Sequence, residues 1–289
     1  MTILILGKGG QVGRALVARL PGAIALGRTE ADLEAPQALI ARIVALRPTL
    51  IINAAAYTAV DAAEDDRDRA VAVNATAVGA IGEAARKVGA RVIHYSTDCV
   101  FSGRQASAYR EADSTDPISV YGASKLSGEA ALEQSGAQSL ILRVSWVYTE
   151  SGRNFPLTIL RLARERETLD VVADETGAPT AAALIADITA RAVEARAGGL
   201  YHLAAAGAVS RHALAQFIVA EALAAGALLR LTPERIRPIL AQDFPAKARR
   251  PANSCLDTTR LRTELGVDLP AWQDGIRQLI RTLQAEGRL

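Results

Sequence analysis

A chain of 289 residues, half of them hydrophobic, can bury one large or two modest cores and is too apolar to be disordered. Its 33 basic and 31 acidic residues are interspersed around a net charge of +2, with no basic face or aromatic stripe, so nucleic acid is not an expected partner. No run approaches the ~18 apolar residues of a membrane span, no secretory leader pattern opens the chain, and Cys99 and Cys255 lack metal or disulfide spacing; a soluble, cytoplasmic protein is expected.

The first apolar run, residues 2–6, reads as a strand and ends at Gly7. Gly10 and Gly13 follow at three-residue spacing, and a helical period begins at Gln11. Strand, glycine turn and helix in that order suit a pyrophosphate: the glycines let the backbone turn and approach closely, and the first N–H groups of the helix face the anion. Further strands are expected at 23–26, 50–53, 91–96 and 139–144, with helices at 11–20, 36–46, 66–88 and 119–133. Such alternation predicts an α/β fold with a doubly wound parallel sheet, Rossmann-like, whose ligands sit beyond the carboxyl ends of the strands. The stretches Gly27-Arg28, Asn53 to Tyr57, Ser96 to Asp98 and Ser145 to Tyr148 occupy those ends. A helix over 156–167, a strand over 169–173, a helix over 181–195 and a strand over 199–203 come next. Helical segments and Pro-containing loops then fill the rest of the chain. The expected division is a cofactor-binding domain over 1–148 to which 158–205 returns, and a mostly helical substrate lobe of 149–157 and 206–289.

Tyr121 and Lys125 stand one helical turn apart, on one face of the helix predicted over 119–133. An ammonium beside a phenol stabilises the phenolate and is expected to lower the tyrosine pKa toward the working range. The histidines His94, His202 and His212 are dispersed and expected to be structural; Cys99 is expected to pack rather than react.

The glycine turn, Asn53 to Tyr57, His94 to Asp98 and the Tyr121/Lys125 pair together resemble the extended short-chain dehydrogenase/reductases. Longer stretches narrow the likeness: 52–64 (INAAAYTAVDAAE), 94–101 (HYSTDCVF), 142–148 (LRVSWVY), 177–180 (GAPT), 199–203 (GLYHL) and 250–257 (RPANSCLD) resemble the dTDP-4-dehydrorhamnose reductases over nearly the whole chain. The resemblance implies reduction of the 4-keto group of dTDP-4-dehydro-β-L-rhamnose by a nicotinamide cofactor. It implies Tyr121 as proton donor, Thr97 as hydrogen-bond partner of the same oxygen, and Lys125 as the residue that tunes Tyr121 and holds the nicotinamide ribose. Asp98, Trp146, Arg250 and Asn253 would meet the sugar nucleotide. Gly7, Gly10, Gln11, Val12 and Gly13 would meet the pyrophosphate, Asp32 and Leu33 the adenine, Ala56, Tyr57 and Thr58 the ribose–nicotinamide path, and Tyr95 the nicotinamide half.

Two departures from the family pattern carry expectations of their own. The second strand ends in Leu26-Gly27-Arg28, without the carboxylate that grips the adenosine ribose in NAD enzymes, so NADPH is expected to be preferred over NADH through Arg28. Some relatives dimerise through magnesium held by acidic residues near the first helix; Val12 to Leu16 carries no carboxylate, so magnesium is not expected, and the chain is expected to be a monomer or homodimer. A nucleotide-sugar dehydratase would need a second carboxylate where Cys99 follows Asp98, and a 4-epimerase matches less well throughout. The non-catalytic β-subunit of methionine adenosyltransferase is similar in fold, but an intact Thr97, Tyr121 and Lys125 favours the enzyme.

Overall fold

The computed structural model describes residues 1–289. Six parallel strands form the central sheet: β1 (Ile3–Leu6), β2 (Ile24–Leu26), β3 (Leu50–Asn53), β4 (Arg91–Thr97), β5 (Ser139–Val144) and, last in the chain, β10 (Gly199–Leu203). Their spatial order is β10-β5-β4-β3-β1-β2. Helix α1 (Gln11–Arg19) follows β1, α2 (Pro36–Leu46) follows β2, and α5 (Val120–Gln134) joins β4 to β5. Between β3 and β4 run α3 (Arg67–Val71), a π-helical turn (Ala72–Thr76) and α4 (Ala77–Val88).

A parallel sheet covered on both faces needs apolar side chains on both sides of each strand. Alternation along β1 supplies them: Leu4 and Leu6 join Leu39, Ile43 and Ile81 on one face, while Ile5 joins Leu16, Ile93 and Ile185 on the other. Each such fully buried side chain contributes about 1.5–3 kcal/mol. Helices α2, α4 and α5 cover the first face, and α1 with α7 (Ala182–Glu194) covers the second. The direction of winding reverses between β1 and β3. A crevice therefore opens at their carboxyl ends, the general ligand site of such sheets.

Beyond β5 the chain forms β6 (Val147–Tyr148), α6 (Phe155–Glu165), β7 (Leu169–Val172), β8 (Thr176–Gly177) and β9 (Thr180–Ala181) before α7 and β10. After β10 come β11 (Val209–Ser210), α8 (Arg211–Ala224), β12 (Ile236–Ile239), α9 (Thr259–Leu265) and α10 (Trp272–Ala285). Here the structure corrects the expected division. Ile159, Leu160, Leu169 and Val171 do not return to the sheet but pack with Leu214, Ile218, Trp272 and Ile276 in a separate core. The reason is the amphipathic face of α6, whose apolar stripe meets α8, and the pairing of β7 with β12. Of these elements, α7, α9 and β10 lie on or in the large sheet.

Candidate active site

A cleft of about 890 Å³ runs along the carboxyl ends of β1 to β5. At one end lies the glycine turn. Gly7 has φ +86°, and a Cβ there would come within 2.6 Å of the Ala55 backbone nitrogen. A Cβ on Gly13 would overlap the Gly7 carbonyl oxygen, so helix and turn can close up only without side chains. Gly9 has nothing near its missing side chain, Gly10 has no side-chain cap, and the first turn of α1 holds no acidic residue. These first-turn N–H groups face the cleft and fit a pyrophosphate.

Gly7, Gly10, Gln11, Val12, Arg28, Asp32, Leu33, Ala56, Tyr57 and Thr58 all line the cleft, as do Tyr95, Thr97, Asp98, Tyr121, Lys125, Trp146 and Arg250. Gly13 is buried behind the turn and does not line it. Asn253 is also outside the cleft. Its amide donates to the Gln105 and Ser107 carbonyls, both at 2.8 Å, and its Oδ1 accepts from the Cys255 N–H at 2.9 Å. That is a loop brace, and it corrects the expectation that Asn253 meets the substrate.

At the centre, Ser119 caps α5 by accepting from the Gly122 N–H at 3.1 Å, which brings Tyr121 and Lys125 to the cleft floor. Lys125 is 2 % exposed, donates to the Tyr95 carbonyl at 2.6 Å and lies 3.2 Å from His94 Nε2. Burial brings its pKa down to about 8, against a smaller opposing pull from Glu129. The lowering of the Tyr121 pKa expected from Lys125 is not seen. Burial is the main cause that pushes the phenol up, and the neighbouring Cys99 and Asp98 add to it. The Thr97 hydroxyl donates to Asp98 Oδ1 at 2.8 Å and accepts from the Cys99 N–H at 3.1 Å. Asp98 also accepts from Ser145 at 2.9 Å, and burial raises its carboxyl above the usual range despite these donors. The Cys99 thiol is likewise pushed up by burial, which argues against a nucleophile.

The far end is assembled from distant segments. Trp146 adopts φ +42°, a left-handed conformation costing a non-glycine residue of order 1–3 kcal/mol. Its ring lies against Gly177, where a Cβ would meet it at 2.5 Å, and the Arg211 guanidinium stacks over it at 4.1 Å. Arg211 donates to Glu175 at 2.6 Å. Arg250 reaches across to Asp61 with Nη2 at 2.7 Å and Nη1 at 3.2 Å from its two oxygens.

Arg211, which lines the cleft, and Asn74, buried behind it, carry no signal in the sequence. Arg211 reads as an ordinary basic residue opening a helix. Asn74, in the π-helical turn, accepts from the Tyr57 N–H at 2.9 Å and donates to the Tyr57 carbonyl at 3.0 Å and to Ser124 Oγ at 2.9 Å, tying the loop after β3 to α5; a π-turn inside a helical run is invisible to periodicity. Nor is the end of β2 free of carboxylates. Glu30 folds back to accept the Gly27 N–H at 2.9 Å, and Glu34 is held by both Arg28 and Arg69.

Comparison with known proteins agrees with this geometry. The model of the RmlD substrate binding domain family matches residues 1–285. A dTDP-4-dehydrorhamnose reductase of Burkholderia thailandensis is 44 % identical, covering 99 % of this chain and all of that protein. One of Escherichia coli is 43 % identical over 98 % of each. The crystal structure of the Bacillus anthracis dTDP-4-dehydrorhamnose reductase in complex with NADP superposes with a TM-score of 0.90 at 31 % identity, over 98 % of this chain and 100 % of that one. A glycine turn, a Thr–Tyr–Lys centre and full-length likeness thus coincide, and the chain belongs to the dTDP-4-dehydrorhamnose reductase family.

Proposed function

We propose that the protein reduces the 4-keto group of dTDP-4-dehydro-β-L-rhamnose with NADPH or NADH, giving dTDP-β-L-rhamnose. The observation that carries this reading is the meeting of Thr97, Tyr121 and Lys125 in one cleft whose other end is the Gly7–Gly13 turn. The cofactor supplies a hydride to the carbonyl carbon. Charge then builds on the carbonyl oxygen, and Tyr121 is the residue that hands it a proton. A phenol whose pKa is raised suits this task, because it stays protonated before the hydride arrives. Thr97 lines the cleft with Tyr121 and is itself fixed by Asp98 and the Cys99 N–H. Lys125 is placed to hold the nicotinamide ribose hydroxyls, and Tyr57, pinned by Asn74, borders the same path. Trp146 offers a flat face to the sugar, and Arg250 and Arg211 offer positive charge to the diphosphate.

The β2 end favours NADPH through Arg28, with Arg69 beside it. Glu34 competes for both guanidiniums and moderates the preference. The test is to mix purified protein, either reduced cofactor and the 4-keto sugar nucleotide, and follow nicotinamide oxidation and dTDP-rhamnose formation. Oxidation that requires the sugar nucleotide is expected. Cofactor binding without turnover would overturn the assignment.

A further inference from the structure

His94 is fully buried in the middle of β4 and touches two polar groups only through its ring nitrogens. Nε2 lies 3.2 Å from Lys125 Nζ, and Nδ1 lies 3.1 Å from Asn53 Nδ2. The next bond along fixes the proton. Asn53 Oδ1 accepts the Ala55 backbone N–H at 3.2 Å, which turns the amide NH₂ of Asn53 toward the ring. An NH₂ group only donates, so Nδ1 must be the acceptor, and the neutral ring then carries its hydrogen on Nε2, facing Lys125. An ammonium has three donors and no lone pair, so it cannot accept that N–H; a free amine can.

We propose that His94, its tautomer set by Asn53, is a positioning residue that presents an Nε2–H to Lys125 and biases Lys125 toward the free amine until the cofactor binds. The amine gives one hydrogen to the Tyr95 carbonyl and accepts one from His94. This inference rests on the reading of the cleft as a nicotinamide-dinucleotide site. Ribose hydroxyl oxygens accept from an ammonium, so binding favours the charged form and draws a proton from solvent onto Nζ, converting –NH₂ to –NH₃⁺ with nothing released. The groups around the pair leave this balance in place. Glu129, one turn along α5, favours the ammonium, but its two oxygens accept from Arg143 of β5 at 2.9 and 2.7 Å. Asn53 on β3 and Asn74 in the π-helical turn are uncharged. Tyr121 is protonated, and Asp98 and Cys99 act on Tyr121. Burial works in the same direction, keeping His94 well below its usual range and Lys125 near 8.

Two measurements decide it. NMR correlation of ring nitrogens with ring protons in the cofactor-free protein reports the His94 tautomer without any substitution, and Nε2–H is expected. Calorimetry of NADPH binding at about pH 9, in buffers of different ionisation heat, is expected to show uptake approaching about one proton. Asn53→Asp keeps the size of the side chain and still accepts from Ala55, but its carboxylate takes a hydrogen from Nδ1. That turns the tautomer over, and proton uptake should fall at least twofold. A wild-type ring protonated at Nδ1, or equal uptake in wild type and variant, would overturn the proposal. Failure of the cofactor reading looks different: no binding heat appears in any buffer, while the tautomer in the free protein still decides the part assigned to His94.

Discussion

The two ends of the cleft are built by different means. The cofactor end is local: β1, three glycines and α1 occupy seventeen consecutive positions from Ile3 to Arg19, and backbone geometry does the shaping. The substrate end is a meeting of distant segments, with Arg250 on Asp61, Arg211 on Glu175, and Trp146 against Gly177. A site made of backbone near one strand end tolerates little change but is recognisable in sequence. A site made of side-chain pairs can drift one pair at a time, and each pair is silent until the fold brings it together.

Tyr121 stands at the seam, and its loss gives the largest expected effect. Tyr121→Phe removes the proposed proton donor and leaves the ring in place, so kcat should fall roughly 10²–10⁴-fold. The NADPH Kd, measured by nicotinamide fluorescence, should stay within about twofold, because Lys125 and the glycine turn are untouched. A variant with near-normal kcat would show that another group supplies the proton. A variant that lost cofactor affinity would show that the two ends share more than this residue.

The cofactor end can be broken by a single methyl group. Gly13→Ala places a Cβ on the Gly7 carbonyl oxygen, and overpacking of this kind costs ~1–3 kcal/mol. NADPH and NADH should both bind roughly 10- to 100-fold more weakly, and the Tm should fall. Calorimetric Kd values for both cofactors and a thermal melt check this. Unchanged Kd values with a lowered Tm would mean that the strain is relieved away from the cleft.

What the sequence made legible follows the same division. Strand ends and glycine spacing give the sheet and the pyrophosphate turn directly, because apolar period and backbone freedom are properties of neighbouring residues. The pairing of Tyr121 with Lys125 is legible for the same reason, being one helical turn. Its consequence is not. Lys125 turns to the Tyr95 carbonyl and His94 on β4, and the phenol rises rather than falls because burial is the main influence on it. Asn253 sits in a stretch with strong family likeness, yet it braces the Gln105–Ser107 loop, a role that no local pattern announces. The misplacement of 158–172 has a similar origin: a strand next to an amphipathic helix reads as another sheet repeat until β12 pairs with β7.

The substrate end should fail by itself when Arg250 is removed. Arg250→Ala deletes a charge-assisted partner for an anionic group, a contact worth about 1.5–3 kcal/mol. Since the guanidinium is partly exposed and already bonded to Asp61, the lower figure applies. KM for the sugar nucleotide should rise by about 10-fold while the NADPH Kd holds. Equal losses for both ligands would erase the distinction between the ends. A loss confined to kcat would move Arg250 from binding to the closing of the lobe over Asp61.

The smallest effect tests whether even the cofactor end depends on distant pairs. Arg28 is exposed by 64 % at its side chain and shares Glu34 with Arg69, thirty-five positions away from that carboxylate. A phosphate on the adenosine ribose would be favoured by both guanidiniums, and Glu34 would weaken that preference by occupying them. Exposed pairs of this kind are worth only ~0.2–1 kcal/mol. Arg28→Ala should therefore lower the NADPH-to-NADH ratio of kcat/KM by roughly 2- to 5-fold, and Glu34→Gln should raise it by a similar factor. The opposed directions matter more than either size. If Arg28 merely pointed to solvent, neither substitution would move the ratio, and if Glu34 only stiffened the loop, both would move it the same way.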